Sequence, residues 1–93
     1  MHTLTGATGQ GAHAEGNYTQ ANASVAHAEG DYTIAGGYAT HAEGYITEAY
    51  GEHSHAEGKG TIARGNDQHV QGRYNIEDNN NTYAHIIGNG HRD

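Results

Sequence analysis

Histidine and glutamate recur together along most of this chain, in a four-residue word of His, Ala, Glu and Gly. An imidazole and a carboxylate can share a hydrogen bond, exchange protons or bind a transition metal. The word occurs four times unchanged and twice with substitutions, at a regular spacing except for a longer last interval. The residues of this series, called here the His-Glu ladder, are His13, Glu15, His27, Glu29, His41, Glu43, His55, Glu57, His69, Gln71 and His85.

The ladder does not predict an enzyme. A catalytic site is built once, whereas this word is repeated without change, and the chain has no Cys to serve as a nucleophile. We therefore expect no catalytic residues and no required cofactor. The paired residue types instead predict a structural device, in which each carboxylate accepts a hydrogen bond from a histidine.

The composition limits what the ladder can belong to. The 93 residues are 33% hydrophobic, include no Phe, Trp or Cys, and carry a formal net charge of -7. Such a chain has little with which to form a core, so stacked repeats or oligomerisation must supply it. With four Lys and Arg against eleven Asp and Glu, the chain has no basic surface for binding nucleic acid. No segment is apolar enough for membrane insertion.

A fixed period separates His13, His27, His41, His55 and His69, and it predicts β-structure. With each ladder histidine as position 1, Thr recurs at position 7, Ala at position 9 and a small residue at position 11, as in Thr19, Ala21 and Ala23. These positions share the two-residue parity of a strand. Gly at position 4 and near position 11 provides turn residues that tolerate positive φ. Each unit then forms one coil of a parallel β-roll, about 4.8 Å from the next.

The repeat divides one domain, residues 1–93, into three parts. Residues 1–12 are a partial first coil and residues 13–68 are four regular coils. Residues 69–93 are a variant coil with a loop at 78–82 and an atypical C-terminal cap, in which Tyr83 to Gly88 is the closing strand. Departure from consensus is typical of a terminal repeat.

The alternation of Thr, Ala and Gly, followed by a four-residue word ending in Gly, resembles the head repeats of trimeric autotransporter adhesins. Those repeats carry Val-Ala-Ile-Gly where this chain has His-Ala-Glu-Gly. The His-Ala-Glu-Gly variant and the closing stretch from Gln68 to Gly90 are similar to tail-fibre and neck-appendage proteins of bacteriophages of Gram-positive bacteria. The resemblance implies an all-β, left-handed parallel β-roll (β-solenoid) that is homotrimeric, in an extracellular fibre on a bacterial surface or a virion.

Parity allows two orientations of the ladder. In the first, the apolar residue at position 2 faces inward, and His and Glu form a solvated stripe. In the second, His and Glu take the places of Val and Ile in the adhesin word and point into the roll or the trimer seam. The resemblance and the sequence favour the second, because position 1 is always His while position 5 varies freely. We expect a buried His-Glu hydrogen-bond ladder, within or between chains.

Metal binding is a second hypothesis. Histidines a full coil apart are not expected to converge within one chain, but three imidazoles could meet at a transition-metal ion on a trimer axis. His53 and His55 form a His-x-His, which resembles the iron-binding motif of trimeric phage fibres.

The leading interpretation is a non-enzymatic module that presents a binding surface as a homotrimer, with a host surface glycan or protein as partner. An engineered repeat scaffold is a further alternative, suggested by a Met placed directly on a partial repeat. Aromatic side chains commonly carry recognition. The candidate recognition residues are Tyr18, Tyr32, Tyr38, Tyr45 and Tyr50.

Overall fold

The computed structural model describes residues 5–90, which form a parallel β-solenoid of about six turns with some 14 residues per turn. This confirms the all-β class, the parallel strands and the length of the coil. Within these residues there are eleven strands, in the order β1 (Gly6–Ala7), β2 (His13–Asn17), β3 (Gln20–Ala21), β4 (His27–Asp31), β5 (Ile34–Ala35), β6 (His41–Tyr45), β7 (Glu48–Ala49), β8 (His55–Ala56), β9 (Ile62–Ala63), β10 (His69–Arg73) and β11 (His85–Asn89).

The strands belong alternately to two sheets through most of the roll, so that a regular coil contributes one strand to each. The smaller sheet has the order β1-β3-β5-β7-β9 and the larger one β11-β10-β8-β6-β4-β2. Every pair is parallel, and every pair except the last is shifted by one regular repeat, so Ala21 lies opposite Ala35 and His27 opposite His41. Only the last pair spans a longer interval, with His69 opposite His85. The closing strand therefore begins two residues later than the sequence predicted.

The core between the sheets is built from small side chains. Thr at position 7 and Ala at position 9 are fully buried in the regular coils, as the parity of the repeat predicts. Position 2 and position 14 complete the interior, for example with Ala42 and Ser54. Within residues 5–90, the buried apolar side chains are eight alanines and Val70. The interior of the regular coils therefore contains no large apolar side chain.

The glycines of position 4 from Gly16 to Gly72 have positive φ, as the sequence predicts, but left-handed backbone also occurs at residues that carry a Cβ. It is found at position 6, in Tyr18 (φ 56°) and Ile46 (φ 57°), and at position 13, in Val25 (φ 48°) and His53 (φ 63°). Side chains with a Cβ disfavour this region, and β-branched ones do so most. The stacking of coils therefore imposes these conformations against local preference.

Most glycines of position 4 lie within strands of the larger sheet and not in turns, and Gly58 lies in a bend after β8. Their φ values are positive, such as 109° at Gly44, and a Cβ there would lie 2.2 Å from the carbonyl oxygen of Gly58 in the next coil. Glycine at position 11 begins a bend without positive φ, and a Cβ on Gly37 would lie 2.2 Å from the oxygen of Tyr50. At both positions, the absence of a Cβ allows the backbones of adjacent coils to pack closely.

No helix among residues 5–90 is long and apolar enough to cross a bilayer. Residues 1–4 of the predicted partial coil and residues 91–93 of the predicted cap lie outside the described range.

Candidate functional site: the His-Glu ladder

The His-Glu ladder runs along the outer face of the larger sheet. Within each strand the residue between His and Glu is turned inward, as Ala42 is at 0% exposure, so strand alternation directs both polar side chains away from the core. Side-chain exposure is 58% and 63% at His13 and Glu15 and falls to 33% and 32% at His55 and Glu57. The first form of the expectation, that His and Glu point into the roll, is therefore wrong, and the second, that they point into a trimer seam, stays a prediction.

The histidine rings form one continuous stack. The in-register pairing of parallel strands places each ring above its equivalent in the preceding coil. Ring centroids are 4.5 to 5.0 Å apart along the series, and from His27 to His85 successive planes are within 12° of parallel. His13 and His27 are instead tilted by 51°. The end ring thus adopts a different orientation from its neighbours.

In the middle of the ladder, each carboxylate lies between two imidazoles of successive coils. Glu29 Oε1 is 2.9 Å from the Nε2 of His27 and 3.6 Å from that of His41. Glu43 Oε1 is 3.1 Å from the Nε2 of His41 and 3.3 Å from that of His55. The Glu side chains do not simply stack on one another, because each is screened by the histidines on either side.

The ladder changes toward its two ends. Glu57 lies 3.5 Å from His55 and 3.3 Å from His69, as in the middle coils. Beyond it, His85 Nε2 lies 3.1 Å from the amide oxygen of Gln71, where the other coils have a carboxylate. At the other end, His13 pairs with Glu15 of its own strand at 2.7 Å. The negative charge of the ladder is therefore confined to its first four words.

Two ring nitrogens in the ladder are buried without a hydrogen bond. The Nε2 atoms of His27 and His41 are shielded from solvent, and neither has a hydrogen-bond partner in suitable geometry. A carboxylate oxygen lies only 2.9 Å and 3.1 Å away, respectively, but off the direction that a hydrogen bond requires. Each nitrogen is therefore within ion-pair distance of a carboxylate but has no well-directed hydrogen bond.

The ladder also brings together sets of metal-ligating atoms within a single chain. Four groups each hold two histidines from successive coils and one glutamate, with their ligand atoms within 4.8 Å of one another. The expectation that histidines a coil apart do not converge is therefore wrong, because parallel coils are separated by only one strand spacing. The groups are His13-Glu15-His27, His27-Glu29-His41, His41-Glu43-His55 and His55-Glu57-His69.

His53 does not join these groups, although it is only two residues from His55. It occupies a left-handed turn, where its Nδ1 lies 2.9 Å from Asp67 Oδ1 and its ring meets the edge of Tyr38 at 5.8 Å. No group of potential metal ligands among residues 5–90 includes it. The His-x-His pair is thus divided between a turn and the ladder.

The candidate recognition tyrosines differ in their exposure. Tyr32, Tyr38 and Tyr45 are 44 to 51% exposed, whereas Tyr18 is half-buried and stacks on Tyr32 with centroids 4.7 Å apart. Tyr50 is also half-buried. Burial, and then the hydrogen bond from its hydroxyl to Glu48 Oε1 at 2.7 Å, raise the pKa of Tyr50 to about 12.

The sequence interpretation did not single out the network at the C-terminal end of the roll. Gln68, 1% exposed, accepts a hydrogen bond from Gly65 N and donates to the carboxylate of Asp78 at 3.0 Å and the carbonyl of Tyr83 at 3.1 Å. Asp78 also accepts from the Tyr83 N–H, the main cause that lowers the pKa of Asp78 below its usual value. The large polar residue at position 14, where other coils have Ala, Thr or Ser, was the available signal.

An apolar cleft of about 580 Å³ lies beside this network. Its lining includes Ile76 and Ile87, which are 90% and 67% exposed. The cleft lies at the end of the roll and contains none of the carboxylates of the ladder.

Comparison of the chain with known protein families, with curated proteins and with solved structures finds no match.

Proposed function

We propose that this chain is a non-enzymatic structural module of an extracellular fibre on a bacterial or virion surface. In it, three left-handed rolls pack around a common axis with their His-Glu ladders turned toward the seam. The observation that carries the proposal is the position of the ladder. The histidine that recurs in every copy of the word lies outside the roll, on a face that one chain leaves only partly buried.

The small core supports oligomerisation. Among the described residues, alanines and one valine supply nearly all of the buried apolar surface, and each alanine contributes little compared with a larger side chain. A chain this short is of marginal stability even with an ordinary core. Association with further copies stabilises the folded state by mass action and would bury the ladder face.

The partly exposed carboxylates of the ladder also favour this arrangement. Each lies within reach of a histidine of its own chain, so burial in a seam would not leave it without a partner. Stacked, nearly parallel rings present a regular flat surface on which an identical surface can pack. The work of the trimer is then to project the exposed tyrosines, Tyr32, Tyr38 and Tyr45, in three copies toward a glycan or protein partner.

The molecular mass in solution tests the proposal. Light scattering should give three times the chain mass of 9.8 kDa. A substitution in the seam, Glu43→Arg, should lower the mass, since it replaces the carboxylate between His41 and His55 by a cation that has no partner there. Gln20→Arg on the smaller sheet should not lower it. Folded wild-type protein with the mass of one chain would refute the trimer.

A further inference from the structure

We propose that the His-Glu ladder binds divalent transition-metal ions, two per chain, each held by two histidines of successive coils and one glutamate. This inference goes beyond the structural role, and it does not depend on the trimer because all three ligands come from one chain. It also differs from an axial site, in which one ion would serve three chains.

The donor set suits such an ion. Two imidazole nitrogens and one carboxylate oxygen form the protein part of many zinc and non-haem iron sites, which leave further positions for water. In this chain the same three donors are already gathered in four groups, each with its ligand atoms within 4.8 Å. The Nε2 atoms of His27 and His41, which lie beside carboxylates without a well-directed hydrogen bond, are two of these donors.

The geometry requires only a small adjustment. Ligand atoms about 2.0 to 2.1 Å from a tetrahedral ion are about 3.3 Å apart, so the two Nε2 atoms must approach each other by roughly an ångström or more. The rings are a third or more exposed, and the 51° tilt between His13 and His27 shows that successive rings need not stay parallel. Rotation of half-exposed side chains can therefore close a group around an ion.

Sharing of ligands limits how many groups can be filled. Successive groups have one histidine in common, namely His27, His41 and His55 in turn. An Nε2 atom has one lone pair and ligates one ion, so two neighbouring groups exclude each other. Among four groups in a row, at most two can then be occupied together. The last rung, His69 and His85, has Gln71 in place of a carboxylate and does not form a group of this kind.

Equilibrium dialysis of the full chain against Zn²⁺, followed by elemental analysis, tests this rule. Wild type should bind two ions per chain. His41→Gln removes the two central groups but leaves the outer two, which share no histidine, so it should still bind two. His27→Gln and His55→Gln each leave two groups that share a histidine, so each should bind one.

The controls are His53→Gln and His85→Gln, which remove a histidine without touching any group and should bind two ions. Circular dichroism establishes that each variant remains folded, and light scattering on the same samples gives the oligomeric state. A trimer without bound zinc would refute this proposal alone, and zinc bound by a monomer would refute the trimer alone.

Three other results would overturn the inference. Four ions bound by wild type would show that groups do not share ligands. Equal losses in His41→Gln and His27→Gln would show independent or unspecific binding. One ion per three chains would indicate an axial site instead.

Discussion

Replacement of Gly44 by alanine tests how the coils of this roll contact one another. Gly44 lies in β6 with a φ of 109°, and a Cβ there would lie 2.2 Å from the carbonyl oxygen of Gly58. That oxygen already accepts a hydrogen bond from Tyr45 N at 2.9 Å. The added methyl group must therefore move the acceptor of a bond that joins two coils.

Two costs can be estimated for Gly44→Ala. Holding a residue with a Cβ in left-handed backbone costs about 1 to 2 kcal/mol. Loss of the bond between Tyr45 and Gly58 costs about 0.5 to 1.5 kcal/mol more. The free energy of unfolding should therefore fall by about 1.5 to 3.5 kcal/mol on these two estimates. For a domain of this size, a loss of about 2.5 kcal/mol lowers the melting temperature by roughly 10 to 20 °C.

Thermal and urea unfolding followed by circular dichroism measure this effect. Gly6→Ala is the matched control, since nothing lies within 4 Å of a Cβ at Gly6, and it should change the unfolding free energy by less than about 0.5 kcal/mol. An ordinary surface substitution changes the free energy of unfolding by no more than about 0.5 kcal/mol. If Gly44→Ala differs from wild type by no more than this, the contact between coils does not depend on glycine at position 4, and the reasoning is wrong.

Two further predictions concern a turn and the C-terminal network. Val25 is β-branched, 50% exposed and held at a φ of 48°. Because Asn tolerates left-handed backbone, Val25→Asn should raise the free energy of unfolding, measured in urea, by about 1 kcal/mol. The control Ser24→Asn, at the neighbouring residue, should not raise it. A destabilised Val25→Asn would show that the turn is not strained. The lowered pKa of Asp78 means that its carboxylate stabilises the fold above its ordinary pKa near 3.8, and that this contribution is lost as pH falls through the folded value. The difference in unfolding free energy between wild type and Asp78→Asn should therefore shrink as pH is lowered from 6 toward 2; a constant difference would contradict this.

Much of the fold could be predicted from the period of the sequence. A constant repeat length with Thr19 and Ala21 on one parity predicts short parallel strands, and it fixes their register, because each residue pairs with its equivalent one coil later. Burial of Thr at position 7 and Ala at position 9 follows from the same alternation. The stacking of His27 on His41 also follows, since it needs only the period and the strand spacing.

The turns could not be predicted in this way. Propensity assigned positive φ to glycine, and Gly44 has it, but within a strand and not in a turn. The structure also places left-handed backbone at Tyr18, Val25 and Ile46, where propensity does not predict it. Local preference is worth only about a kcal/mol per residue, and closure of a coil onto its neighbours outweighs it.

For the His-Glu ladder too, the sequence determined some features and the tertiary structure determined others. The sequence by itself determined which residues recur, their order and their pairing, because a fixed period in parallel strands admits one register. Only the tertiary structure decided that His and Glu lie outside the roll, that Glu43 lies between histidines of two coils, and that His53 turns away to Asp67. These outcomes depend on where the chain bends and how closely the coils approach, which the spacing of residues along the sequence does not specify.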